Sequence, residues 1–198
     1  VYDANNINPL YGFFVARAGL GASESMRSKL AEYNDPRLSR AFITKQGTSG
    51  KEQAPGTADN AVYAPNGTPE QGTSKYGTSL FMYSISAPTL LLSYHELKFL
   101  EAEALCRLER DAKSALKDAV VAGLLNAENS FTISRKELGK TLINAASSIT
   151  EAEAESYFDN TIEAKYTAEP LKTTMTQKYF ALWGASGEAT ESYNLSLI

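Results

Sequence analysis

The stretch Leu92-Ser-Tyr-His-Glu-Leu-Lys-Phe-Leu-Glu-Ala-Glu-Ala-Leu-Cys-Arg107 decides the fold class. Pro88 sits just before it, and the pattern predicts a helix over Thr89–Leu108. Leu90, Tyr94, Leu97, Ala104 and Leu108 mark one face, and Phe99, Ala102 and Cys106 mark a second. Apolar residues on two sides predict burial between neighbours. Downstream, Ala112, Ala115, Leu116, Ala119, Val120 and Leu124 recur at i, i+3, i+4 and i+7, so Asp111–Asn126 reads as a second helix. Only Glu109 and Arg110 separate the two, which predicts an antiparallel hairpin.

Working outward, the rest of the second half is also helical in pattern. Ser134 with Glu137 is a capping-box pair leading to Leu138, Leu142 and Ala145. Thr150 with Glu153 repeats it ahead of Ala154, Phe158 and Ile162. Pro170 suits a first helical turn. Leu171, Met175, Tyr179 and Leu182 then form a stripe that Gly184 is placed to stop, and Glu188–Tyr193 reads as a last short turn. The first half is different. Leu10–Val15 is a short apolar element, and Ser23–Tyr33 is a weak helix with Ser23 as cap and Met26 and Leu30 four apart. Asn34-Asp35-Pro36 stops it, with Arg37 after it placed to fix a turn through a salt bridge. Gln46–Ser79 is a long loop-rich segment, half of whose 34 residues are Gly, Pro, Ser or Thr. Such loops in compact domains are uncommon and usually functional or disordered. Asn66-Gly67 is a turn signal within it. Leu80–Ile85 reads as a strand or extended core segment.

Residues 1–88 hold six of the seven prolines and nine of the thirteen glycines, and carry 8 basic and 7 acidic residues. Residues 89–198 carry 11 basic and 16 acidic residues, net −5, so the negative charge of the chain (−4 in all) sits in the helical half. The fold class is therefore mainly α: tetratricopeptide-like helical hairpins (89–198) with a long loop-rich segment (1–88), the two expected to form one structural unit. The 198 residues are 43% hydrophobic and 21% charged, which excludes wholesale disorder. The acidic balance argues against nucleic acid as partner. The longest apolar run, Ala119–Leu125, falls far short of the ~20 residues of a membrane span.

The one cysteine, Cys106, and the one histidine, His95, are eleven residues apart, about 16 Å along a straight helix. They form no dyad there, and the usual zinc ligand sets are unavailable. No metal or cofactor is expected. Carboxylates are plentiful, but Glu101 and Glu103, like Glu151 and Glu153, point apart on a helix. Glu151 and Glu155 share a face, which reads as a solvated helix start favoured by the macrodipole. No hydrolase elbow, zincin, phosphate-loop or dinucleotide motif is present, so no enzyme is expected.

Sugar binding needs aromatic faces against sugar C–H surfaces, with amides and charges bonding hydroxyls. The loop-rich segment supplies Tyr63, Asn66, Gln71, Lys75 and Tyr76. Tyrosine joins an apolar ring to a polar tip. Tyr63, Asn66, Gln71 and Tyr76 are the candidate glycan-binding residues, and the acidic helical half is the expected scaffold and partner surface.

Three segments, in order, resemble the SusD/RagB family of outer-membrane nutrient-binding lipoproteins. These are Asn8-Pro9-Leu10-Tyr11 with Asn34-Asp35-Pro36-Arg37-Leu38; the Leu92–Arg107 stretch with its Ala102-Glu103-Ala104; and Thr176-Gln-Lys-Tyr-Phe-Ala-Leu-Trp-Gly184 with Gly187-Glu188-Ala189. The likeness runs from Asn8 to Asn194. Family members are typically more than twice as long, so the resemblance implies a fragment of the C-terminal half. It departs after Ala189, where Thr190 takes an aromatic position and no arginine pair follows Tyr193. The resemblance implies a protein that binds oligosaccharide or another nutrient without cleaving it. It would be lipid-anchored at the outer-membrane surface, through a region absent from this chain. Its partner would be a TonB-dependent, SusC-like transporter, to which it passes ligand. The alternative is a helical-repeat protein–protein interaction module with no sugar ligand.

Overall fold

Two helices reverse direction through Leu108–Ala112 and set the helical architecture: α3 (Tyr94–Arg107) and α4 (Lys113–Leu138). The computed structural model describes residues 6–16, 21–46, 51–53, 63–67, 76–139 and 142–184. Glu109, with φ at 55°, makes the reversal, and Lys98 of α3 pairs with Asp118 of α4 at 3.5 Å. The remaining helices are α1 (Pro9–Ala16), α2 (Glu24–Glu32), α5 (Glu151–Tyr157), α6 (Glu163–Ala168) and α7 (Pro170–Leu182). The fold is mainly α, as the helical periodicities predict. The chain divides into two compact units, one of Val1–Pro88 with Asn129–Ser148, the other of Thr89–Glu128 with Ile149–Ile198.

In the first unit α2 begins where Ser23 accepts the Met26 amide, and Met26 and Leu30 turn inward, as expected. Asp35 then accepts the Arg37 amide and caps a 3₁₀ turn, Pro36–Ser39. A four-stranded sheet follows, ordered β3-β1-β2-β4, from β1 (Phe42–Gln46), β2 (Lys51–Gln53), β3 (Thr78–Ser79) and β4 (Leu142–Ile143). β1 pairs antiparallel with β2 and β3, and β2 pairs parallel with β4. Leu80–Tyr83 is a 3₁₀ turn, neither the strand nor the extended segment expected over Leu80–Ile85, and the Ser79 hydroxyl accepts the Phe81 amide at its start. Leu80 and Phe81 are still buried, with Phe81 against Phe131 at 4.8 Å.

Two helix expectations fail together. α4 does not stop at Asn126 but runs 26 residues through the Ser134 capping-box pattern. Ala127, Phe131 and Ser134 extend its buried stripe at four- and three-residue steps, so continuing buries more than stopping. Ser134 is therefore inside a helix rather than a cap, and its hydroxyl reaches the Leu80 carbonyl at 2.6 Å. Gly139, at φ 53°, follows the helix end, and Leu142 belongs to β4.

In the second unit α3 starts at Ser93, which accepts the Glu96 amide, so Thr89–Leu92 precede the helix rather than form its first turn. His95, Phe99 and Ala102 are buried, but the Tyr94–Leu97–Leu108 face is open to solvent, against the expectation of burial on both sides. Thr150 accepts the Glu153 amide, as the capping-box pattern predicts. From there α5 passes through a π turn (Phe158–Ile162) into α6, and Phe158 and Ile162 enter the core. α7 packs on α3. Its buried face is Thr173, Thr174, Gln177, Lys178, Phe180, Ala181 and Leu182, whereas Leu171 and Tyr179 of the expected stripe are exposed. Gly184, at φ 80°, follows the helix end as expected. Glu188–Tyr193 lies outside the described residues.

Candidate ligand-binding site

The described part of the long loop is pinned onto the start of α2. Ala64 donates its amide to the Ala22 carbonyl at 2.8 Å and accepts the Glu24 amide at 3.0 Å. Asn66 extends this clamp. Its side-chain amide donates to Ser25 Oγ at 2.6 Å, and its Oδ1 takes a long 3.5 Å bond from Ser23 Oγ. Gly67, at φ 73°, makes the turn that Asn66-Gly67 predicts. Tyr63 sits half-buried, edge-on to Phe42 with ring centroids 5.3 Å apart, and Arg27 lies 5.3 Å over its ring. Burial pushes the Tyr63 hydroxyl above its usual range, and Arg27 only partly opposes this.

Tyr63 and Asn66 thus stand on one short loop against one helix. Asn66, but not Tyr63, lines an open polar depression of about 360 Å³, together with Glu24, Ser25, Ser28 and Lys29. Glu24 with Ser28 and Ser25 with Lys29 are four apart, so one face of α2 presents both charge signs and two hydroxyls. These α2 residues were not singled out from the sequence, where they read as an ordinary solvated helix face. Tyr76 is 8% exposed and packs beside Gly21, where it offers a ligand little surface. Gln71 and Lys75 lie outside the described residues.

The second unit carries its own polar interior. Lys178 is buried and pairs with Glu103 at 3.0 Å, and Arg107 approaches the other Glu103 oxygen at 2.9 Å. Burial pushes the Glu103 carboxyl up, but Lys178 and Arg107 outweigh it and hold the group below the ordinary glutamate range. Gln177 donates to Tyr157 Oη at 3.3 Å, and Cys106 lies 3.6 Å from the Thr174 hydroxyl. These contacts give Cys106 a packing role. An open groove of about 300 Å³ lies elsewhere in this unit, bringing Glu151 and Glu155 beside Asp118 and Tyr94. Among the described residues, no group of three or more His, Cys, Asp or Glu side chains could hold a metal ion. Among them, too, no helix is long and apolar enough to cross a membrane.

Residues 2–191 match the SusD-like family described as "Starch-binding associating with outer membrane". The chain belongs to this family. It is similar to a SusD/RagB family protein from Bacteroides thetaiotaomicron VPI-5482, whose crystal structure was determined at 1.75 Å resolution. The sequence identity is 60% and the TM-score 0.91, and the match covers 98% of this chain but 41% of that one. No curated protein matches the chain.

Proposed function

We propose that the chain is the part of a cell-surface, lipid-anchored binding protein that helps hold an oligosaccharide without cleaving it. The whole protein would pass that ligand to a TonB-dependent, SusC-like transporter of the outer membrane. Family membership over residues 2–191 supports the outer-membrane, glycan-associated setting. The observation that carries the local reading is the clamp of Tyr63 and Asn66 onto α2 beside a depression with hydroxyl, amide, carboxylate and ammonium groups on its walls. Such a wall offers donors and acceptors to vicinal hydroxyls, and the half-buried Tyr63 stands in the same loop with Arg27 over its ring. Gln71 is proposed as a further contact from the same loop-rich segment. Tyr76 is proposed to act through the backbone it supports.

The test is native electrophoresis through gels carrying single soluble polysaccharides, with the chain, Tyr63→Ala and Asn66→Ala run side by side. One polysaccharide should retard the chain. Each substitution should weaken retention roughly fivefold or more, as loss of about 1 kcal/mol of contact predicts, with far-UV CD unchanged. Retention untouched by both substitutions would remove this loop from the site, and an absence of retardation by every glycan would count against the reading.

A further inference from the structure

Asn66 is followed by glycine, and no other asparagine of the chain is. A glycine nitrogen has no Cβ beside it as a shield, so it can approach the side-chain carbonyl of the residue before it. Both residues are exposed, and the turn holds Gly67 at φ 73°. Among the described residues no hydrogen bond engages the Gly67 amide. Other asparagines differ in geometry as well as in sequence. The amide after Asn34 belongs to Asp35 and is held by the Leu30 carbonyl at 2.9 Å. Those after Asn126 and Asn129 lie in the interior of α4, where the helix ladder holds them. Pro9 follows Asn8 and has no N–H to lose.

The same side chain fastens the loop to α2. Its amide nitrogen donates to Ser25 Oγ at 2.6 Å, and through Ala64 the adjoining backbone is bonded to Ala22 and Glu24. We infer that Asn66 is a site of spontaneous deamidation, and that this chemistry releases the clamp. Hydroxide takes the Gly67 amide proton, and the nitrogen attacks Asn66 Cγ to close a succinimide ring. The Cγ–Nδ2 bond breaks, and Nδ2 leaves as ammonia with a proton from water. Water then adds to one of the two ring carbonyls, and that carbon parts from the Gly67 nitrogen. Opening at the side-chain carbonyl gives aspartate. Opening at the main-chain carbonyl gives iso-aspartate, whose backbone runs through the former side chain. One water is consumed and one ammonia released, with no change of oxidation state. Either product loses the donor to Ser25 and gains a carboxylate on a wall that already carries Glu24. Iso-aspartate also lengthens the main chain at the turn. The inference concerns the covalent state of the loop and does not rest on a glycan being its ligand.

The test ages the folded chain in mildly alkaline buffer and follows every asparagine by peptide mass mapping. Asn66 should lose its amide severalfold faster than any other asparagine, and isoaspartyl methyltransferase should label the peptide that carries it. A Cβ on Gly67 would meet nothing within 4 Å, so Gly67→Ala has room for its methyl group while shielding the nitrogen, and it should slow the loss severalfold. The clamp is read separately, by NMR-detected hydrogen exchange at the Ala64 and Glu24 amides. Exchange there should quicken by roughly two- to tenfold in the aged chain and in Asn66→Asp, as loss of a neutral hydrogen bond predicts. Far-UV CD of both should match the fresh chain, since the helices take no part. Loss at Asn66 no faster than elsewhere would overturn the proposal. So would a rate indifferent to Gly67→Ala, or exchange at Ala64 and Glu24 that neither ageing nor Asn66→Asp alters. Retention on polysaccharide gels is a different readout, so a chain that binds no glycan leaves each of these outcomes decisive.

Discussion

Replacing Lys178 with methionine removes the cation against which Glu103 is buried while nearly preserving the side chain's length. In the protein Lys178 is 2% exposed and Glu103 13%, with 3.0 Å between Nζ and Oε2. Breaking a buried pair from one side costs about 3–5 kcal/mol, because the remaining charge keeps its burial and loses its partner. Glu103 retains Arg107 at 2.9 Å, but that side chain is 58% exposed and its attraction is screened. The lower end, about 3 kcal/mol, is therefore expected. For a chain of this length each kcal/mol moves the midpoint by about 2–4 °C, so melting followed by CD at 222 nm should fall by roughly 6–12 °C at pH 7.

The pH dependence carries the stricter test. The folded carboxyl of Glu103 is held below its ordinary range, despite burial, by Lys178 and Arg107. A depressed carboxylate contributes stability that is complete above its unfolded pKa, about 4.3, and is lost as the pH falls through the lower folded value. The gap between the native chain and Lys178→Met should thus be widest at neutral pH and close only as the pH falls through the depressed folded value of Glu103, below which the native chain holds a buried lysine against a neutral acid. Glu103→Leu combined with Lys178→Met should recover most of the loss, since an apolar pair of similar volume removes both desolvated charges. A variant as stable as the native chain at pH 7, or a gap that stays constant from pH 7 to pH 3, would refute the account.

Two further perturbations probe other contacts. A Cβ built on Gly123 of α4 would lie 2.8 Å from Ala181 Cβ of α7, and neither group can rotate away. Gly123→Ala should therefore cost about 1–3 kcal/mol in urea unfolding despite a helix-propensity gain of about 1 kcal/mol, and Ala181→Gly in the same chain should restore most of it. Asp35→Ala leaves the 2%-exposed Arg37 without its bidentate partner and should cost about 3–5 kcal/mol, whereas Asp35→Asn, which can still accept the Arg37 amide, should cost measurably less in the same assay.

Local chemistry was legible in the sequence where a few neighbouring residues decide it. The Ser23 and Thr150 caps, the Asp35–Arg37 turn and the positive φ at Gly67 each depend on side chains within three positions. The sheet was not legible, because its strands are two to five residues long and β4 pairs with β2 across some ninety residues of chain. The end of α4 was missed because Ser134 and Glu137 satisfy a capping pattern equally well in mid-helix, and only the burial of Phe131 and Ser134 decides between the two. The two apolar faces of α3 were legible, but the burial expected on both sides is found only on the His95–Phe99–Ala102 side. Periodicity cannot say which of them meets a neighbour within this chain. Of the candidate site, the loop was legible as a turn-rich segment with Tyr63 and Asn66. The α2 wall was not, because serines and a glutamate–lysine mixture read as an ordinary solvated helix face.

The motifs that carry the family resemblance share a physical property that separates fold from ligand. Asn8 is buried, accepts the Leu10 amide and donates to the Ala87 carbonyl at 2.9 Å. Asp35 and Arg37 form a buried bidentate pair. Glu103, from Ala102-Glu103-Ala104, meets Lys178, from Gln177-Lys178-Tyr179. Each motif thus contains a polar group withdrawn from water and satisfied by protein partners, an arrangement in which removing a charged partner alone costs several kcal/mol. Such positions specify which helices and turns pack together. Tyr63 and Asn66 stand at or near the surface, where a substitution leaves no buried group unpaired, so the loop can change its side chains while the fold stays intact. The chain is thus recognisable as SusD-like from buried, paired residues that hold the scaffold together, whereas the candidate contacts Tyr63 and Asn66 lie outside that set.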